Sequence, residues 1–109
     1  MPRGKQNDKP NYIPPGTKGA IGELRVCSDL LSKNFAVFRS VSPSSSCDLV
    51  ALKNGICYRI EVTYATVYKR RDGEVRLLVK ERDNSKYDIL ALIVDNEIVY
   101  TPSLSSLNA

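Results

Sequence analysis

The dipeptide Asn54-Gly55 is the feature that most constrains how this chain folds, because it separates two short apolar runs. Both residue types tolerate the positive φ angles that the centre of a type I′ turn requires, and such a turn joins two antiparallel strands. The sequence therefore predicts a tight β-hairpin across residues 47–63.

Two acidic residues stand at informative positions of this hairpin. Asp48 opens its first strand and Glu61 lies near the end of its second strand. A hairpin brings such positions toward the same end, and two converging carboxylates suit Mg²⁺ or Mn²⁺ better than zinc. The alternative interpretation is that Asp48 only begins a strand and that Glu61 occupies an exposed strand position.

A helix is predicted from about Thr17 to about Lys33. Its expected apolar stripe consists of Ala20, Leu24, Cys27 and Leu31, with Ile21 and Leu30 on its edges. Glu23 projects inside or beside that stripe, where an unpaired carboxylate is costly. Either its carboxylate reaches solvent at the edge of the stripe, or it contributes a third acidic group to a metal site.

Three further segments read as strands, namely residues 35–40, the buried run 87–94 and residues 97–101. One helix followed by several strands indicates an α/β fold. The 109 residues suffice for a single domain, which we place at residues 18–102. A flexible basic N-terminal arm is expected at residues 1–17, and a polar tail at residues 103–109.

A basic cluster follows the hairpin. Tyr68 precedes Lys69, Arg70 and Arg71, and Asp72-Gly73 then predicts another tight turn. The segment is either a solvated surface hairpin or a set of phosphate contacts. The formal net charge of +4 is compatible with nucleic-acid binding.

Absences narrow the chemistry further. The chain contains no histidine, which excludes histidine-based triads, His/Cys zinc sites and nucleases with a histidine general base. Its three cysteines form no C-x-x-C pair, so reduced core thiols are expected. The N-terminal segment has no apolar stretch typical of a secretory signal, and no run is long enough to cross a bilayer, so we expect a cytoplasmic protein.

The order of these elements resembles the PD-(D/E)XK nuclease superfamily across roughly residues 18–102. The resemblance is closest to its small members, the Holliday-junction resolvases and related homing or restriction-type endonucleases. The segments that carry it are Lys18–Leu24, Cys47–Ala51, Ile60–Thr63, Tyr87–Ala91 and Tyr100–Pro102.

This resemblance implies a restriction-endonuclease-like mixed β-sheet flanked by helices, Mg²⁺-dependent cleavage of DNA phosphodiesters, and a homodimer. Asp48 and Glu61 would be the metal ligands, with the carbonyl of Val62 nearby, and Glu23 would orient the attacking water. The residues expected to contact DNA are Lys18, Tyr68, Lys69, Arg70 and Arg71.

One position departs from the family pattern, because Thr63 stands where the motif has a lysine. Lys80 is the first candidate to supply the missing charge and Lys53 a weaker one. Alternatively, the metal and Thr63, which would position a water, suffice without a lysine. In a third interpretation the site is inactive, and the chain is a DNA-binding module or a subunit that contacts other proteins.

Overall fold

The computed structural model describes residues 11–42, 47–79 and 83–107. It contains one α-helix and seven strands in chain order. They are α1 (Pro15–Ser32), β1 (Ala36–Arg39), β2 (Leu49–Lys53), β3 (Ile56–Tyr64), β4 (Thr66–Lys69), β5 (Val75–Leu78), β6 (Ile89–Val94) and β7 (Glu97–Thr101), with single 3-10 turns at Asn84–Lys86 and Leu104–Ser106.

Five strands form one mixed sheet in the order β1-β2-β3-β6-β7. The β3–β6 pair is parallel and the other pairs are antiparallel. The turn between β2 and β3 has φ of 52° at Asn54 and 80° at Gly55, as a type I′ hairpin requires. The predicted hairpin and the α/β fold class with a mixed sheet are therefore confirmed.

The core lies between α1 and one face of the sheet. Val26 and Leu30 from the helix pack in a buried cluster with Ile60, Ile89 and Ile93 from the two central strands. Within the described ranges there is no second α-helix, so the other face of the sheet carries no helical layer from this part of the chain.

The helix presents a different side to the core than its sequence suggests. Its buried positions are Gly22, Val26, Cys27 and Leu30. Leu24 and Leu31 of the predicted stripe are 52% and 57% exposed, so that stripe was wrong except at Cys27 and at its edge residue Leu30. Gly22 explains the rotation, since a Cβ there would lie 2.9 Å from Ile93 Cδ1 and from the Tyr64 ring. The helix can come this close to Ile93 and Tyr64 only because the residue at position 22 has no side chain.

Residues just outside both predicted ends of the domain also take part in the fold. The helix begins at Pro15, with proline at its first position, so its first turn lies within the predicted N-terminal arm. Residues 1–10 of that arm lie outside the described part of the chain. In the predicted tail, Leu104 and Leu107 pack against the core.

The strands β4 and β5 pair with each other in a separate two-stranded sheet. They follow β3 directly, since Ala65 alone separates β3 from β4. In the described residues, no helix is both long and apolar enough to cross a membrane.

Candidate functional site

Asp48 lies at the open end of the β2–β3 hairpin, one residue before β2. Its Oδ2 accepts a hydrogen bond from the backbone N–H of Val62 at 2.9 Å. Its own backbone N–H donates to the Ile60 carbonyl, and its carbonyl accepts from the Ser40 N–H. The carboxylate is therefore fixed between β1 and β3, at the point where β2 begins.

Glu61 lies between two residues that Asp48 contacts. The register of β2 with β3 ends where Leu49 pairs with Ile60, the residue before Glu61. The Asp48 N–H donates to the Ile60 carbonyl and its Oδ2 accepts from the Val62 N–H, so Asp48 is bonded to the residues on both sides of Glu61.

Thr63 follows two residues later on β3 and is only 8% exposed. Ile60 and Tyr64 face the core under α1, so strand alternation assigns Glu61 and Thr63 to the opposite face of the sheet. Thr63 therefore shares a face with Glu61, as its sequence position predicts.

Glu23 reaches the same end of the sheet from the helix side. Its Oε1 lies 3.4 Å from Nη2 of Arg39, the last residue of β1. Arg39 pairs with Leu49, so this ion pair sits one strand position from Asp48. The carboxylate beside the apolar stripe is thus paired with a cation, and its part in orienting water stays a prediction.

Arg39 is the residue that the sequence analysis missed. It follows Val37 by two positions, so both side chains point toward α1, which carries the embedded Glu23. The alternation of side chains along this strand was the signal that could have predicted the contact between Arg39 and Glu23. Burial raises the pKa of the Cys27 thiol; the charge of Arg39 lowers this pKa, and the charge of Glu23 raises it.

The acidic side chains at this end of the sheet are the candidate ligands for a divalent cation. Among residues 11–42, 47–79 and 83–107, no group of three or more His, Cys, Asp or Glu side chains forms a metal cluster. Glu23 is therefore not assembled with Asp48 and Glu61. Mg²⁺ is nevertheless commonly bound by one or two carboxylates, with water and substrate phosphate completing its shell. Asp48 and Glu61 fit that donor chemistry.

Two lysines were candidates to supply the missing motif charge, and a third was a predicted DNA contact; the three lie in different places. Lys80 lies outside the described residues. Lys53 sits at the turn end of the hairpin, where its Nζ donates to the Lys33 carbonyl at 3.2 Å, far from Asp48 at the open end. Lys18, a predicted DNA contact, places its Nζ 4.6 Å from the centre of the Tyr64 ring, next along β3 after Thr63.

The remaining predicted DNA contacts lie on β4 and the turn that follows it. Tyr68, Lys69, Arg70 and Arg71 are all exposed. Arg70 is near two carboxylates, with 3.9 Å to Asp72 and 3.8 Å to Glu74. The cluster is therefore a solvent-facing surface that is partly neutralised within itself.

No family model matches the chain, and no curated protein matches it in sequence. Its fold is similar to the solved structure of a bacterial homing endonuclease, I-Ssp6803I, with a TM-score of 0.58 at 15% sequence identity. The match covers 79% of this chain and 66% of that one, just under two thirds. The likeness confirms a nuclease-like α/β fold, whereas the PD-(D/E)XK and resolvase assignments stay predictions.

Proposed function

We propose that this protein is a metal-dependent DNA endonuclease that hydrolyses phosphodiester bonds. The observation that carries the proposal is the contact of Asp48 with both residues that flank Glu61, through the Ile60 carbonyl and the Val62 N–H. The similarity of the fold to that of a homing endonuclease supports DNA as the substrate.

In this proposal Asp48 and Glu61 hold Mg²⁺ or Mn²⁺, with the Val62 carbonyl as a further oxygen donor. When bound, the metal supplies Lewis-acid activation of water and stabilises charge on the phosphate. The Val62 N–H holds the Asp48 carboxylate in one orientation. Thr63 provides a hydroxyl that positions water on the same face as Glu61.

Glu23 stands on the α1 side of the sheet, so in this proposal its side chain must approach the end of the sheet at Asp48 to orient the attacking water. The Arg39 guanidinium limits where the Glu23 carboxylate can lie. Thr63 carries no charge, so a lysine elsewhere would have to stabilise the transition state, and Lys80 is our candidate. Losing one such group typically lowers a rate by about 10²- to 10³-fold, so the enzyme would be slow without it.

DNA contact is assigned to the basic and aromatic residues near the site. Lys18, Lys69, Arg70 and Arg71 bind phosphates through their charges, and Tyr68 supplies an aromatic surface. A homodimer, a preference for branched DNA such as Holliday junctions, and a cytoplasmic location are further parts of the proposal.

The test is a cleavage assay on labelled linear duplex, four-way junction and single-stranded DNA, each with Mg²⁺, Mn²⁺ or EDTA. Wild type should cut at least one of them with metal and none in EDTA. Asp48→Ala should abolish cutting in every case. Cleavage that persists in EDTA or in the variant would exclude the metal mechanism, and the preferred substrate would decide between junction and duplex.

A second candidate function is DNA binding without catalysis. It is favoured by Thr63, which is neutral and nearly buried where the family motif has a lysine. This candidate predicts salt-sensitive DNA binding that neither Mg²⁺ nor Asp48→Ala alters, and no cleavage. A subunit that contacts only other proteins would bind no DNA at all.

A further inference from the structure

The basic ribbon, residues 66–78 with β4, β5 and the turn between them, has its own two-stranded sheet and an unusual exposure of apolar groups. Val67, Tyr68, Val75 and Leu78 are between 44% and 59% exposed. Two-stranded ribbons are marginally stable by themselves, and exposed apolar surface commonly marks a binding site. The ribbon is therefore a candidate to dock against a partner.

Register assigns different side chains to the two faces of the basic ribbon. Tyr68 pairs with Arg76, so these two side chains share one face. Lys69 pairs with Val75, so these share the other face with Val67. One face thus combines an aromatic ring with a guanidinium, and the other combines aliphatic groups with an ammonium.

Charge identifies the class of partner. The basic ribbon carries four basic and two acidic side chains, a net charge of +2. Glu74 lies 3.0 Å from Arg76 and 3.8 Å from Arg70, so one carboxylate holds two guanidiniums near the tip. Duplex nucleic acid carries one negative charge per about 1.7 Å, so it can offer phosphates to both guanidiniums and to Lys69 and Arg71 at once. An apolar protein surface would leave these charges unpaired.

The size of the basic ribbon selects double-stranded DNA among polyanions. The major groove of B-DNA is about 12 Å wide and about 8.5 Å deep, and it admits a two-stranded β-ribbon. Two paired strands lie about 4.8 Å apart, and four residues span about 13 Å. The deep, narrow major groove of an RNA helix does not admit such an element.

We propose that the basic ribbon enters the major groove of duplex DNA. Lys69, Arg70 and Arg71 contact phosphates at the groove edges, and the face with Tyr68 and Arg76 contacts base edges. Arg76 leaves Glu74 and binds guanine, which offers two acceptors for a guanidinium in this groove. The inference deepens the proposed function by naming the duplex as substrate, and it requires DNA binding but not cleavage.

The basic ribbon is also linked to the candidate site by a short length of chain. Lys69 follows Thr63 by six positions, and at about 3.3 Å per residue this spans at most about 20 Å. Base pairs are about 3.4 Å apart along the duplex. Cleavage is therefore expected within about six base pairs of the contacted bases.

The first experiment measures affinity in EDTA for three probes that share the same phosphates. They are a random-sequence duplex, the same duplex with glucosylated 5-hydroxymethylcytosine filling the major groove, and the plain duplex with netropsin in the minor groove. Filling the major groove should weaken binding at least about tenfold, and netropsin should leave it unchanged. Equal binding to all three probes, or no DNA binding, would overturn the proposal.

The second experiment separates base contact from phosphate contact with two exposed-residue variants. Arg76→Gln should lower affinity for the duplexes selected by wild type about 5- to 100-fold and remove the preference for guanine at one position. Lys69→Gln should weaken binding to all sequences alike and reduce the salt slope by about one. An unchanged base preference in Arg76→Gln would contradict base reading by this face.

The two proposals fail in distinguishable ways, because binding is measured without metal. Groove-dependent binding without any cleavage keeps the basic ribbon as a duplex-binding element and removes the endonuclease. Metal-dependent cleavage with affinity insensitive to the major groove keeps the endonuclease and removes this inference.

Discussion

The side chain of Asp29 joins α1 to the edge of the sheet. Its Oδ2 accepts from the Tyr100 hydroxyl on β7 at 2.5 Å, and its Oδ1 accepts from Lys33 Nζ at 2.7 Å. Burial alone would raise the pKa of Asp29, but these two hydrogen bonds outweigh burial and hold the pKa below its usual value. The network therefore ties the helix to the edge of the sheet.

Tyr100→Phe should destabilise the protein by about 1.5–3 kcal/mol, because it removes a hydrogen bond to a charged, partly buried carboxylate. The free energy of unfolding in urea measures this. Tyr87→Phe is the matched control, since its hydroxyl bonds the Asn84 side chain at an exposed position. Equal losses from the two variants would show that the Asp29 contact adds nothing.

The same pair predicts a pH dependence. Because the pKa of Asp29 is lowered by folding, its contribution is complete above the unfolded pKa and is lost as pH falls through the folded pKa. The stability gap between wild type and Tyr100→Phe should therefore be constant at neutral pH and shrink as pH falls below about 4, the ordinary pKa of an aspartate. A gap that stays constant as pH falls below this value would contradict an ionised acceptor.

The conformation of a single residue was predictable where its neighbours in the sequence determine it. Asn34 ends the helix with φ of 68°, and Asn54 forms its turn, because both conformations follow from neighbouring residues. The partners of Glu23 and Asp29 were not predictable. They lie 16 and 71 residues away, and only the packing of α1 on the sheet brings them together.

At the scale of elements, the side of α1 that packs was the main error of the sequence analysis. Leu24 and Leu31 are as apolar as the buried Val26 and Leu30, so periodicity alone supports either side. The closest approach at Gly22 decided between them. A residue without a side chain carries no weight in a hydrophobic pattern, which is why the pattern failed.

Gly22→Val should cost about 1–3 kcal/mol relative to Gly19→Val, because it overpacks the contact with Ile93 and Tyr64. The two variants share the helical propensity change, and a Cβ at Gly19 meets no atom within 4 Å. Urea unfolding of both gives the difference. Similar stabilities would mean that the helix does not approach the sheet through Gly22.

At the scale of the whole molecule, the burial of apolar residues differs between two parts. The five-stranded sheet and α1 together hold the buried core, whereas the basic ribbon exposes apolar residues along both of its strands. The sequence predicted both hairpins and the succession of strands along the chain, because turn residues and apolar runs mark them. It did not predict that the second hairpin would form a sheet of its own.

Hydrogen exchange should separate these two parts. Amides of β4 and β5 should exchange much faster than those of β3 and β6, since few buried contacts oppose local opening of the basic ribbon. Adding duplex DNA should slow exchange in the ribbon. Core-like protection of the ribbon in the free protein would contradict its exposed, weakly supported placement.

The sequence discloses the hairpin that brings Asp48 to the residues on both sides of Glu61. Their role as a pair of metal ligands stays a prediction. Glu23 depends on how the helix lies on the sheet, and its Arg39 contact emerges only from the tertiary structure.

The central claim is that Asp48 serves chemistry rather than only the fold, and Asp88 offers a matched control for it. Each carboxylate accepts a backbone N–H from β3, Asp48 from Val62 at 2.9 Å and Asp88 from Arg59 at 2.8 Å. Asn at either position removes a charge but keeps an oxygen acceptor. Of the two, only Asp48 hydrogen-bonds the residues on both sides of Glu61, whereas Asp88 also pairs with the Arg59 guanidinium.

The most direct measurement is the single-turnover rate of DNA cleavage in Mg²⁺ for Asp48→Asn and Asp88→Asn, with urea unfolding of both variants alongside. We expect Asp48→Asn to lose at least about 100-fold in rate, and Asp88→Asn to cut at nearly the wild-type rate. Equal rates in the two variants, or full activity in Asp48→Asn, would contradict the assignment of the site.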